Sequence, residues 1–122
     1  MIERWAEIAG FEGLYAICSD GEVWALNKMQ RYLLRNGVEA FRFIPAHQIA
    51  WQLNNNGYRI VHLYKGNRRH VKTVHRLVAL AFLPQTDVEV DHEDHDRNNP
   101  RLDNLKWVSP SVNKKRQRRW QK

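Results

Sequence analysis

Val90-Asp91-His92-Glu93-Asp94-His95-Asp96-Arg97-Asn98-Asn99-Pro100-Arg101-Leu102-Asp103-Asn104-Leu105-Lys106-Trp107-Val108-Ser109-Pro110 organises the last third of the chain. A β-prone run over Val88 to Val90 enters an acidic, Asn-rich loop, and Leu105 to Val108 returns as its partner. Ser109 is a good N-cap and Pro110 suits a first helical position, so a helix is expected to begin there and to include Asn113. Strand, long loop, strand and helix thus gather Asp91, His92, Asn104 and Asn113 around one loop. A carboxylate, an imidazole and two amides so gathered are able to hold a divalent metal and to take a proton from water.

The charge balance reverses at this loop. Between residues 87 and 103, Asp87, Glu89, Asp91, Glu93, Asp94, Asp96 and Asp103 meet only Arg97 and Arg101, a local balance of −5. The whole chain carries +7, so the remainder holds +12. A basic body with one acidic pocket suits a metal-dependent enzyme acting on a polyanion, because cations attract phosphates while carboxylates retain the metal. A basic protein with one acidic surface loop has the same balance, and charge alone does not separate the two. The length of 122 residues with 43% hydrophobic content suits one small domain. Cys18 is the single cysteine, which excludes an internal disulfide and a cysteine-based zinc cluster. No apolar run nears the roughly 20 residues that span a bilayer, and Met1-Ile2-Glu3-Arg4 lacks a signal-peptide pattern. The chain is therefore expected in the cytoplasm, with no membrane partner.

Upstream, the reading is an antiparallel β region. Trp5 to Ile17 and Val23 to Leu26 flank Ser19-Asp20-Gly21-Glu22, an Asp-Gly turn that predicts a hairpin. Tyr58 to Tyr64 and Arg69 to Val74 flank Lys65-Gly66-Asn67-Arg68 and predict a second, strongly basic one. Residues 27–57 have weak periodicity, with an extended segment around Phe41-Arg42-Phe43-Ile44-Pro45 and a turn signal at Asn54-Asn55-Asn56-Gly57. His75 to Phe82 loses the alternation and reads as a short buried helix ended before Pro84. The tail Lys114-Lys115-Arg116-Gln117-Arg118-Arg119-Trp120-Gln121-Lys122 holds six cations in nine residues. The fold class is accordingly α+β: antiparallel hairpins or a small sheet over 1–74, then strand, strand and helix over 75–122, the two forming one compact unit.

Two segments carry a resemblance to a known family. One is Trp5-x-x-Ile8-x-Gly10-Phe11-Glu12-Gly13-x-Tyr15; the other runs from Val74-His75-Arg76-Leu77-Val78-Ala79 through Asp91-His92 and Asn104-Leu105-x-Trp107-Val108 to Asn113. Asn104 follows His92 by 12 positions and Asn113 follows Asn104 by nine. In these motifs, found in this order, the chain resembles the HNH nucleases of the ββα-metal fold, in particular the phage and group I intron homing endonucleases. The resemblance implies a DNA endonuclease that hydrolyses a phosphodiester bond to a 5′-phosphate and a 3′-hydroxyl. It implies His92 as general base, Asp91 and Asn113 as ligands of one Mg²⁺ or Mn²⁺ per active site, and Asn104 as a brace for the loop that orients His92. It also implies double-stranded DNA as partner of a monomer or homodimer. The chain departs from the family name in carrying Asn113 where many members have histidine.

For such a nuclease, Arg59, Lys65, Arg68, Arg69 and Lys72 on the second hairpin and Lys114, Lys115, Arg116, Arg118 and Arg119 in the tail become candidate DNA contacts; otherwise they are solvated charge. The competing readings are a DNA-binding protein that kept the fold without its chemistry, and a phage nuclease of low specificity. His75, opening a buried helix, reads as a core histidine bonded to backbone, and Trp5, Trp24 and Trp107 read as core anchors.

Overall fold

The computed structural model describes residues 3–110. The Asp-Gly turn forms as expected: Gly21 takes a φ of +96°, and β2 (Tyr15–Cys18) and β3 (Val23–Ala25) pair antiparallel across it with Ile17 opposite Val23. β1 (Trp5–Glu7) adds to the free edge of β2. Residues 27–57 contain more strand than their pattern suggests. β4 (Lys28–Leu33) and β5 (Glu39–Ile44) make a hairpin of their own, and β6 (His47–Gln48) closes the first sheet against β3. In the β4–β5 hairpin Met29, Leu33, Phe41 and Phe43 share one face and all remain exposed. Apolar and polar residues are mixed along both strands without a core to sort them, which is why the period is faint.

β7 (Gln52–Leu53), β8 (Arg59–Lys65) and β9 (Arg68–Thr73) form a second antiparallel sheet in that order. The turn between β8 and β9 is tighter than the four residues expected. Lys65 pairs with Arg68, so only Gly66 and Asn67 turn, both at positive φ (57° and 63°), the two-residue connection whose twist matches the strands. The chain passes directly from β9 into α1 (Val74–Phe82), whose Val74, Leu77, Val78 and Ala79 are buried, and leaves it at Leu83 ahead of Pro84.

The core is mostly aliphatic and draws on both sheets, the helix and the last hairpin, while the β4–β5 hairpin adds nothing to it. Ile17 and Val23 from the first sheet, Val61 and Leu63 from the second, Val74 and Val78 from the helix, and Val90 and Leu105 from the last hairpin meet in one cluster. Each such side chain contributes on the order of 1.5–3 kcal/mol when fully buried. Tryptophan is not its centre. Trp5 is half exposed and meets Trp24 edge-to-face at 6.2 Å, and Trp107 packs on the rim of the cluster.

β10 (Glu89–His92) and β11 (Leu105–Val108) complete the fold as the expected antiparallel pair, with Asp91 opposite Lys106 and His92 opposite Leu105. Pro110, the last described residue, is helical. The molecule is α+β, with antiparallel strands leading to this final pair. Asn113, Lys114, Lys115, Arg116, Arg118 and Arg119 lie outside the described residues. Among the described residues no helix is long and apolar enough to cross a membrane.

Candidate active site

Strand register puts His92 at the last paired position of β10, where the backbone turns into the acidic loop. The loop is tied to itself through Asn104, which sits on a short 3₁₀ turn (Leu102–Asn104) just ahead of β11. The Asn104 amide donates from Nδ2 to Asp94 Oδ1 at 2.9 Å and to the Asn99 carbonyl at 3.0 Å, while its Oδ1 accepts from the Asp94 backbone at 2.9 Å. Its own carbonyl accepts from the Glu93 backbone at 2.7 Å, extending the ladder one step past His92. Asp94 is a second hub: Oδ2 accepts from Asn99 Nδ2 at 2.8 Å and Oδ1 from the Asp96 backbone at 2.8 Å. The Asn99 side chain, followed by the Asp96 amide and Asn104, holds the Asp94 carboxyl below its ordinary value. Asn104 thus braces the loop, and it does so through Asp94 and Asn99 rather than by a hydrogen bond to the His92 ring.

Both N-terminal sheets clamp the loop from outside. On one side the Leu102 amide donates to the Ser19 carbonyl at 2.8 Å, and Pro100 lies so close to Gly21 that a Cβ there would stand 2.8 Å from Pro100 Cγ. On the other, Arg97 donates to the Asn56 carbonyl at 2.9 Å and lies over the Tyr58 ring at 5.2 Å. Arg59 donates to Asn98 Oδ1 and stacks on Trp51 at 3.9 Å. The first hairpin turn and the entrance to β8 are therefore the two walls against which the loop sets.

Within those walls Asp91, His92 and Asn104 are 2%, 3% and 7% exposed. Burial pushes the His92 imidazole below its ordinary value, against the opposing pull of Asp91, Asp94 and Asp96. The ring is then neutral near pH 7, with a nitrogen available to accept a proton, and Nε2 has no hydrogen-bond partner among the described residues. Two rings lie against it: Tyr58 with its centroid at 5.6 Å and His75 at 4.9 Å, themselves 4.6 Å apart. His75 corrects its expected role. Its Nδ1 is buried without a hydrogen-bond partner among the described residues, and burial, followed by its neighbours His92 and Arg76, pushes it down to about 3. Neither Tyr58 nor the contact of His75 with His92 was read from the chain; the signal available was a titratable residue on the buried face of a short helix.

Asp91 offers a hard oxygen donor beside His92. That chemistry fits Mg²⁺ or Mn²⁺, ions that bind through one or two carboxylates together with substrate phosphates. The other expected ligand, Asn113, lies outside the described residues. Ligand atoms of Glu3, Cys18 and Asp20 also lie within 4.8 Å of one another. Burial raises the Cys18 thiol to about 11.

The expected DNA-contacting cations divide by register. Arg68, Arg69 and Lys72 are exposed along β9, Arg69 on one face of the sheet and Arg68 and Lys72 on the other. Lys65 reaches back to the Gly10 carbonyl at 2.7 Å. Arg59 is turned to the loop and Trp51, so its guanidinium is engaged within the protein.

An antiparallel strand pair presenting Asp-His at its end, joined by a loop that an asparagine braces, is the arrangement of the HNH endonucleases. Comparison with known families agrees over most of the chain: the NUMOD4 motif matches residues 3–64 and the HNH endonuclease family matches residues 72–115. The chain belongs to the NUMOD4 family, and the segment after that motif matches the HNH endonuclease family. It is similar to the DNA endonuclease I-HmuI of Bacillus phage SP01, 31% identical over 112 residues that make up 90% of this chain and 55% of that protein. It is also similar to an uncharacterized HNH endonuclease of Acanthamoeba polyphaga mimivirus, 32% identical over 107 residues, 81% of this chain and 27% of that protein. A solved structure of DNA binding and cleavage by the HNH homing endonuclease I-HmuI superposes with a TM-score of 0.72 at 28% identity, over 96% of this chain and 59% of that one. The chain thus spans about half the length of I-HmuI and about a quarter of the mimivirus protein.

Proposed function

We propose that the protein is a metal-dependent DNA endonuclease of the homing type, in which His92 is the general base and Asp91 and Asn113 hold one divalent ion. The observation that carries this reading is His92 itself: a buried imidazole with an unpartnered Nε2, next to Asp91 and on a loop pinned by Asn104. His92 accepts a proton from a water, and that water attacks the phosphorus in line. The bond to the 3′ oxygen breaks, leaving a 5′-phosphate and, once the oxygen is protonated from solvent, a 3′-hydroxyl. A Mg²⁺ or Mn²⁺ ion bound at Asp91 and Asn113 supplies stabilisation of charge on the phosphate and on the leaving oxygen. Asn104 keeps the loop in the shape that presents His92, and burial keeps the imidazole in its proton-accepting form.

The partner is double-stranded DNA, held through its phosphates by Arg68, Arg69 and Lys72 and by the cations from Lys114 to Arg119. One catalytic set per chain nicks as a monomer and requires a homodimer or two successive cuts to break both strands. The setting is the cytoplasm, that of the bacterial host where the gene is a phage's.

Supercoiled plasmid incubated with Mg²⁺ or Mn²⁺ tests the reading, with EDTA and His92→Ala as controls. Nicking or linearisation is expected, lost in both controls, while His92→Ala still binds DNA. Cleavage by His92→Ala at the wild-type rate would remove His92 from the base role. DNA binding by the wild type without any metal-dependent cleavage would leave a binding protein.

A further inference from the structure

The His92 ring poses a problem of orientation. A general base must hold its accepting nitrogen within hydrogen-bond reach of the proton it takes. The terminal torsion of histidine is broad and roughly two-fold, so the ring needs a partner to fix it. Hydrogen bonding usually supplies one, yet Nε2 has none among the described residues, and Asn104 spends its amide on Asp94 and Asn99. What does touch the ring is Tyr58 at 5.6 Å, tilted by 32°, and His75 at 4.9 Å, tilted by 56°. The two also meet each other at 4.6 Å, which closes a triangle of rings.

Each member of the triangle is fixed from a different element. His75 is carried on the first turn of α1, beside the buried Val74. Tyr58 is held at the entrance to β8 by its amide, which donates to Asn54 Oδ1 at 3.0 Å, and is covered by the Arg97 guanidinium. Arg97 in turn belongs to the loop that follows His92, so the loop holds the ring that holds its base.

We infer that Tyr58 and His75 are positioning residues for His92, clamping its imidazole by ring packing so that its accepting nitrogen is held toward the attacking water. The inference rests on His92 being the base. Packing, not the nitrogen chemistry of His75 or the hydroxyl of Tyr58, performs the task. A flat ring at each position is therefore sufficient, and a small aliphatic side chain is not.

Cleavage of a DNA substrate by His75→Ala, His75→Phe, Tyr58→Leu and Tyr58→Phe tests this, with kcat and KM measured separately and folding checked by thermal melting. His75→Ala and Tyr58→Leu should lower kcat roughly ten- to a hundredfold, as misplacement of a reacting group by about 1 Å does, with KM for DNA within about twofold of wild type. The two Phe variants should restore kcat to within about threefold of wild type. Should His75→Ala fail to fold, the Tyr58 pair decides by the same criterion. Phe variants as impaired as their aliphatic counterparts would overturn the packing role, as would aliphatic variants that cleave at the wild-type rate. An active His92→Ala protein sinks the base assignment instead, whereas an inactive His92→Ala beside a fully active His75→Ala and Tyr58→Leu sinks only the positioning role.

Discussion

Replacing Asn104 by alanine should disable the site without touching the base. The side chain is nearly fully buried and makes three hydrogen bonds, with the Asp94 carboxylate, the Asn99 carbonyl and the Asp94 amide. A neutral hydrogen bond contributes about 1 kcal/mol net, and a buried group left unsatisfied costs a further increment. Asp94 is exposed, so water replaces the lost donor there and the charged bond counts for little more than a neutral one. The three together come to roughly 3 kcal/mol. For a chain of this length that lowers the melting temperature by about 10 °C. Cleavage should fall further than stability does, because the loop that carries His92 loses its internal brace. Asn104→Asp should be at least as damaging: it keeps an acceptor for the Asp94 amide but removes the Nδ2 donor and sets two carboxylates side by side. Differential scanning calorimetry and urea unfolding give the stability, and plasmid nicking at a temperature where both variants are folded gives the activity. An Asn104→Ala protein that melts within about 2 °C of wild type would refute the energetic reasoning. One that nicks plasmid at the wild-type rate would show that the loop does not need the brace.

Other perturbations probe different contacts. Gly21→Ala combines a left-handed backbone with a Cβ 2.8 Å from Pro100 Cγ, so it should lower stability by about 2 kcal/mol or more in urea unfolding; an unchanged midpoint would mean the loop does not press on the first hairpin. His75 is pushed down to about 3 in the folded protein from an ordinary value of 6.5, so between those pH values the unfolded chain binds the extra proton and stability falls as pH falls. His75→Phe should flatten the stability profile across that window, and a profile as steep as wild type would contradict the burial of the neutral ring. DNA affinity should fall linearly on a log–log plot against salt, and Arg69→Glu or Lys72→Glu should each lower the slope by about 1; an unchanged slope would place DNA elsewhere on the surface.

Much of the architecture was legible because it is written in local rules. Gly21 and Gly66-Asn67 adopt the positive φ values that tight turns demand, and the apolar run from Val74 has to bury its face as a helix ended by Pro84. Residues 27–57 were opaque because Met29, Leu33, Phe41 and Phe43 stay exposed, so no core-facing stripe exists to be read. Arg59 shows the other kind of blindness. An arginine on a basic strand looks the same whether it faces DNA or, as here, Trp51 and Asn98.

By itself the sequence determined the elements of the candidate site: Asp91-His92 at a strand end, Asn104 ahead of the returning strand, and an acidic loop between them on a basic body. Those follow from residue type and spacing, which act over a few positions of chain. Only the tertiary structure decided what surrounds them. The loop is walled by Ser19 and Gly21 on one side and by Asn56, Tyr58 and Arg59 on the other, and His92 packs against rings from the entrance to β8 and from α1. Such contacts join residues far apart in the chain, and they exist because one aliphatic core draws both sheets, the helix and the last hairpin onto a single centre.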